Sequence, residues 1–177
     1  MTKNIIITGA MGSGKSTVLQ LLKEQGLSVV PEPAREILAE QRSIGDTGVP
    51  EQNPRLFTQL LLSRSIYQYK QMQNTSDLVI FDRGIPDNIA YAQLFKLNYL
   101  SAHKAAQLFR YDSKVFIFPA WKDIYTTDDE RIMSFDAAKE FGDDINTIYK
   151  TLGYTLVEVP CVSSEERLRF ILEGIYS

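Results

Sequence analysis

Across 177 residues there is one cysteine, one histidine and one tryptophan. A lone Cys161 cannot form an internal disulfide, so nothing points to an oxidising compartment. With His103 as the only imidazole, neither a zinc cluster nor a Cys-His nucleophile can be assembled. Long apolar runs are missing too. No stretch approaches the roughly 18 residues of a membrane helix. The run Ile5 to Ile7 is far too short for a signal peptide and leads straight into glycines. Nor does one charge dominate. Nineteen Lys and Arg stand against 22 Asp and Glu, a formal net charge of −3, which argues against a general nucleic-acid binder. Hydrophobic residues make up 44% and charged residues 23%, so the chain is not of the disordered class. The expectation is a soluble, cytoplasmic protein with no membrane span, no nucleic acid and no obligate protein partner. Residues 1–177 fit one domain.

What is present alternates. Asn4 to Thr8 is a β-branched run, the mark of a buried strand. Glycines follow, then a helix carrying Val18, Leu19, Leu21 and Leu22, stopped by Gly26. Leu27 to Val30, Leu78 to Phe81, Val115 to Phe118 and Thr155 to Val159 are four more strands. Helical segments are expected over Ala34 to Gln41, from Pro54 to about Met72, after Pro86 with Ile89, Ala90, Leu94 and Phe95 inward, after Ser101, and over Phe135 to Leu152. Asn53-Pro54 supplies an N-cap followed by Pro at the first helical position. Ser163 to Glu166 is a capping box that opens a last helix, with Leu168, Ile171, Leu172 and Ile175 inward. Ser43 to Gln52, with two Gly and a Pro, is a mobile loop. This order predicts an α/β fold, a five-stranded parallel sheet with helices on both faces. Ligands of such sheets bind beyond the carboxyl ends of the strands.

Gly9-Ala-Met-Gly12-Ser13-Gly14-Lys15-Ser16 fills the pattern G-x-x-x-x-G-K-[ST] between a strand and a helix. Glycines let the backbone wrap a phosphate with its N–H groups inward, and the helix N-terminus adds positive potential. Lys15 brings a point charge to the β and γ phosphates, and Ser16 an oxygen to Mg²⁺. Gly9, Gly12, Ser13, Gly14, Lys15, Ser16 and Thr17 are therefore the candidate ATP-binding residues.

The third strand ends in Asp82, placed to hold Mg²⁺ together with Ser16. Arg83 follows, able to clamp an acidic group or to pair with Asp82. The second strand ends in Pro31-Glu32-Pro33-Ala34-Arg35. Glu32 is the first candidate for the base that reaches an acceptor hydroxyl. Arg35 is a weaker acceptor contact. Asp87, at a helix start on the same rim, is a substrate contact or alternative base, and Tyr91 on that helix is a stacking candidate.

These segments, with Phe81-Asp-Arg-Gly-Ile-Pro-Asp87, Tyr149 to Tyr154, Val159-Pro160 and Arg167, resemble the small P-loop ATP-binding proteins of the AAA-domain ATPase/kinase-like family. That family is similar to the ribosylnicotinamide kinase domain and, more distantly, to thymidylate and deoxynucleoside kinases. The resemblance implies a nucleoside-kinase fold with Glu32 in the place of the base and Asp82-Arg83 in the place of the acidic-Arg pair. It names no acceptor. A ring-forming motor is not implied, because no separate helical lid domain is present.

Residues 119–133 stand where such kinases carry a lid. Lys122 and Arg131 are the basic residues there, and Arg131 is the candidate phosphate contact. A lid this acidic favours a neutral or cationic acceptor. Trp121 is either a stacking or a packing residue, and Cys161 either lines an adenine pocket with the residues up to Ser163 or is a buried structural cysteine, the reading favoured here. The resulting expectation is a Mg²⁺-dependent kinase acting on a hydroxyl of a small nucleoside-like acceptor, with Lys15, Glu32, Asp82 and Arg131 as catalytic residues. The alternative is a nucleotide-dependent switch or regulatory ATPase or GTPase with a protein or lipid partner.

Overall fold

A computed structural model describes residues 3–74, 78–127 and 133–177. Five strands run parallel in the order β2-β3-β1-β4-β5. They are β1 (Lys3–Gly9), β2 (Ser28–Val30), β3 (Leu78–Asp82), β4 (Lys114–Phe118) and β5 (Thr155–Glu158). The helices are α1 (Lys15–Glu24), α2 (Pro33–Ser43), α3 (Pro54–Gln71), α4 (Asp87–Leu94), α5 (Leu100–Leu108), α6 (Phe135–Thr151) and α7 (Ser164–Tyr176).

The three isoleucines of β1 explain the layering. Successive side chains of a strand point to opposite faces. Ile5 and Ile7 enter one core with Val18, Leu22, Phe116, Phe118 and Ile171, so α1 and α7 cover that face. Ile6 enters the other with Phe57, Phe81, Ile89 and Ile145, beneath α3, α4 and α6. All three are at most 1% exposed. A strand buried on both faces needs such an unbroken apolar run.

Two register pairs place the site. Ile7 of β1 lies opposite Asp82, and Gly9 opposite Phe118. The acidic end of β3 and the glycine loop after β1 therefore share one edge of the sheet. The predicted caps form: Asn53 accepts from the Leu56 N–H, and Ser163 and Glu166 complete their reciprocal box.

Two expectations need correction. Leu94 is 39% exposed rather than inward, because α4 is buried all round from Asp87 to Ala92 and its last turn runs out of the core. Cys161 is exposed, not buried, since Val159 takes the interior position of that turn. In the loop after α2, Val49 is 1% exposed and Glu51 lies 3.2 Å from Arg42.

Candidate functional site

The glycine loop has a backbone that side chains would spoil. Gly9 sits at φ 130°, and a Cβ there would come within 2.1 Å of the Phe118 carbonyl oxygen. Gly12 and Gly14 are left-handed, at φ 69° and 82°. Ser13 Oγ donates to the Ala10 carbonyl at 2.7 Å and tightens the turn. Gly14 is the N-cap of α1 and offers no side-chain cap. The first N–H groups of α1 are thus left for an anion, as a phosphate site requires. Ser16 and Thr17 are exposed on the first turn.

Lys15 is folded back over its own loop, donating to the Ala10 carbonyl at 3.1 Å. Burial, and then the Arg83 charge, lower its pKa from 10.5 to about 8, against the pull of Asp82, Glu32 and Asp87. Asp82 moves the opposite way. Burial, helped by the Glu32 charge, raises it from 3.8 to about 6, with Lys15 and Arg83 holding it back. Among the described residues its Oδ1 is buried without a hydrogen-bond partner. Among the described residues no group of three or more His, Cys, Asp or Glu forms a metal cage. A carboxylate with an unsatisfied oxygen beside a phosphate loop fits a metal that arrives with its phosphates, with Ser16 and Asp82 as the protein's share.

Beyond β2 and β3 a buried polar network lines a small, partly open pocket walled by Glu32, Phe81, Arg83, Asp87 and Tyr91. Tyr91 donates to Glu32 Oε1 at 2.6 Å. Arg83 Nε approaches the same oxygen to 2.9 Å, an ion pair without the alignment of a hydrogen bond. Arg83 Nη1 donates to Asp87 Oδ1, the Gly9 carbonyl and Thr8 Oγ1 at 3.0, 3.0 and 3.2 Å. Asp87 is saturated. Thr8 and Arg83 donate to Oδ1, while Tyr149 and the Gly84 N–H donate to Oδ2 at 2.6 and 2.9 Å. Glu32 Oε2 and Arg83 Nη2 have no protein partner among the described residues. Burial alone would raise the Glu32 carboxyl, but Arg83 and the Tyr91 hydrogen bond outweigh it and hold the group below its ordinary value. Glu32 is therefore a fixed carboxylate at neutral pH, held through one oxygen and lining the pocket.

Arg83 reaches this position through its backbone. It holds φ 66°, uncommon for a residue with a Cβ. That turn directs it to Glu32 and Asp87, not into the pair with Asp82 weighed from sequence.

The structure thus brings together Lys15, Glu32, Asp82, Arg83, Asp87 and Tyr91. Tyr91 is 7% exposed, packs edge-on against Phe57 and lines the pocket beside Glu32, to which its hydroxyl donates. Arg35 is exposed on α2 and is felt by Glu32 only as a charge. Arg131 lies outside the described residues, as do residues 128–132 of the lid segment. The part described, through the 3-10 turn Lys122–Ile124, carries Trp121 over the Arg167 guanidinium, 4.5 Å from ring centroid to carbon. Sequence reasoning quoted Tyr149 and Arg167 only as part of the resemblance and gave Thr8, Tyr149 and Arg167 no role in the site. Each is a single polar residue within an otherwise ordinary strand or helix, and no local spacing marks it.

Solved structures of the same fold cover nearly the whole chain. The deoxyadenosine kinase of M. mycoides, solved with its products dCMP and a flexible dCDP, superposes with a TM-score of 0.73 at 17% identity over 98% of each chain. A NadR protein in complex with NR gives 0.71 at 16% identity, over 99% of this chain and 51% of that one. The thymidylate kinase of Ehrlichia chaffeensis gives 0.64 at 17% identity over 99% of each. At these identities the likeness is one of fold. No curated protein sequence matches. A family profile described as AAA domain covers residues 4–167, and the chain belongs to that family.

Proposed function

We propose that this protein is a Mg²⁺-dependent kinase that transfers the γ-phosphoryl group of ATP to a hydroxyl of a small, nucleoside-like acceptor. One observation carries the reading. A complete phosphate loop and a held carboxylate stand at the ends of β1 and β2, with Asp82 at the end of β3 and Arg83 just after it between them. That is the arrangement an in-line transfer needs, donor on one side and acceptor on the other. The kinase fold of the superposed structures supports it.

Each group has a task in this reading. The loop amides and Lys15 hold the β and γ phosphates. Ser16 and Asp82 hold the metal, which, when bound, neutralises charge on the phosphate oxygens. Glu32 Oε2 accepts the hydrogen bond of the acceptor hydroxyl and receives its proton as the new O–P bond forms. Arg83 Nη2 faces the developing charge. Arg131 is the candidate for a further cation from the lid, which residues 119–133 would form. The cleft sets two carboxylates, Glu32 and Asp87, against the single guanidinium of Arg83. A second phosphate on the acceptor would be repelled, so a neutral or cationic acceptor is favoured.

The test is ADP release from Mg·ATP with and without pooled nucleosides, nucleoside monophosphates, amino sugars and pantothenate-like alcohols, with Lys15→Ala as blank. Acceptor-dependent release from the nucleoside pool, absent in the blank, is the expected result. Slow release unaffected by every pool would replace the kinase with a nucleotide-dependent switch.

A further inference from the structure

Arg167, on α7, crosses 154 positions of sequence to reach the phosphate loop. Its Nη1 donates to the Ser13 carbonyl at 2.8 Å, and its Nε to the Pro160 carbonyl at 2.9 Å. The residue is 2% exposed, and Nη2 is buried without a hydrogen-bond partner among the described residues. The guanidinium carbon lies 5.1 Å from the Phe118 ring centroid and 4.5 Å from that of Trp121. A Cβ on Gly14 would come within 3.0 Å of Nη1 and 3.1 Å of Ile124 Cδ1. Arg167 is therefore packed directly on the left-handed cap of α1.

Two features set this residue apart from an ordinary structural arginine. Buried arginines are normally paired with a carboxylate. Here, among the described residues, no carboxylate lies within ion-pair range; the acceptors are two backbone carbonyls, with the Cys161 side chain beside the guanidinium. The charge is held next to the N-terminus of α1, where the helix is itself positive. Two like potentials are thus kept together in the protein without ligand. A polyanion entering the loop relieves that repulsion. The guanidinium is also a planar fork, able to hold two carbonyls at a fixed separation, which an ammonium cannot do.

We propose that Arg167 is a positioning residue of the nucleotide site. It fixes Ser13 and Gly14 in the anion-binding conformation, and its unpaired charge raises the affinity of the loop for polyphosphate. The role rests on the reading of the loop as a nucleotide site and extends it to a residue on the last helix. Trp121, the chain's single tryptophan, stacks on Arg167 and reports its environment.

Binding of three probes separates the possibilities. Mg·ATP, tripolyphosphate and adenosine are titrated calorimetrically against the wild type, Arg167→Ala and Arg167→Lys, with folding followed by circular dichroism. Arg167→Ala is expected to weaken ATP and tripolyphosphate alike, by about tenfold or more, and to leave adenosine unchanged. Arg167→Lys keeps the charge but loses the fork, and should fall between the two. Tripolyphosphate should alter Trp121 emission in the wild type. Unchanged tripolyphosphate affinity in folded Arg167→Ala overturns the proposal, since a purely packing role shifts thermal stability and not phosphate affinity. If that variant does not fold, Arg167→Lys at wild-type tripolyphosphate affinity overturns it equally. Loss of ATP and adenosine affinity with tripolyphosphate unaffected would make Arg167 a base platform instead. A wild type that binds neither ATP nor tripolyphosphate would remove the nucleotide reading, and the proposal with it.

Discussion

Tyr91 and Arg83 converge on one oxygen of Glu32, at 2.6 and 2.9 Å, and leave the other to the cleft. Each of the three comes from a different part of the chain: the turn after β2, the end of β3 and the middle of α4. A carboxylate held on one side cannot swing, so its second oxygen stays where an acceptor hydroxyl would arrive. The same anchoring keeps it ionised. The hydrogen bonds of Asp87, Thr8 and Tyr149 then hold Arg83, so the position of Glu32 depends on a network that reaches back to β1 and α6.

Tyr91→Phe tests that dependence. The ring still packs, and the hydrogen bond is lost. Stability should fall by about 1 kcal/mol. Acceptor turnover should fall further, by about 10- to 100-fold, because Glu32 loses its fixed direction. The Glu32 carboxyl lies below its unfolded value, so its stabilisation is present above the ordinary carboxylate range and is lost as pH falls through the depressed value. Without Tyr91 the depression shrinks, and the acid limb of the denaturation profile should move to higher pH. An unmoved acid limb, with turnover intact, would show that Arg83 alone holds the carboxylate.

Glu32→Gln separates charge from shape at the same site. The amide preserves size and still accepts from Tyr91, so the protein should fold. Turnover should drop by about 10²- to 10⁴-fold, the usual contribution of a proton acceptor. Mg·ATP affinity should stay within about twofold, since Glu32 belongs to the acceptor side. Turnover surviving in this variant would move the proton elsewhere, and saturated Asp87 is poorly placed to take it.

Local patterns were legible and tertiary partnerships were not. Gly9 to Ser16 is readable because its chemistry lies in one eight-residue stretch. Asp82 is readable because it closes an apolar strand. The Ser163–Glu166 box announces α7 for the same reason, its partners being three residues apart. Glu32, Arg83, Asp87 and Tyr91 could each be nominated, but not their pairing. That pairing depends on β3 lying between β2 and β1 and on the left-handed turn at Arg83. Leu94 shows the converse limit. Helical periodicity assumes one wet face, and α4 has almost none. Arg167 meets Ser13 only because α7 packs beside α1, which no spacing along the chain encodes.

Asp82→Asn should stabilise the protein without ligand at pH 7. The carboxyl titrates near 6 when folded and 3.8 when unfolded. The unfolded state therefore loses its proton first, and stability declines as pH rises from about 4 through 6. The cost at neutral pH is on the order of 1–3 kcal/mol. Asparagine removes it, so the melting temperature should rise by a few degrees while Mg²⁺-dependent turnover disappears. A variant that melts below the wild type at pH 7 would show that Asp82 contributes to the fold and is not strained by it.

Lys15 gives the complementary proton signature. Its amine titrates near 8 when folded and 10.5 when unfolded, so stability rises with pH between those values. At pH 8 to 9 a large share of the free protein carries a neutral Lys15. Polyphosphate favours the ammonium form, so Mg·ATP binding in that range should take up a fraction of a proton. Near pH 6 the sign reverses, because the metal favours ionised Asp82 and its proton is released. Calorimetry in buffers of different ionisation enthalpy measures both. Lys15→Arg, whose side chain stays charged throughout, should abolish the uptake at pH 8 to 9 and keep the release near pH 6. Uptake persisting in that variant would assign the proton to a different group.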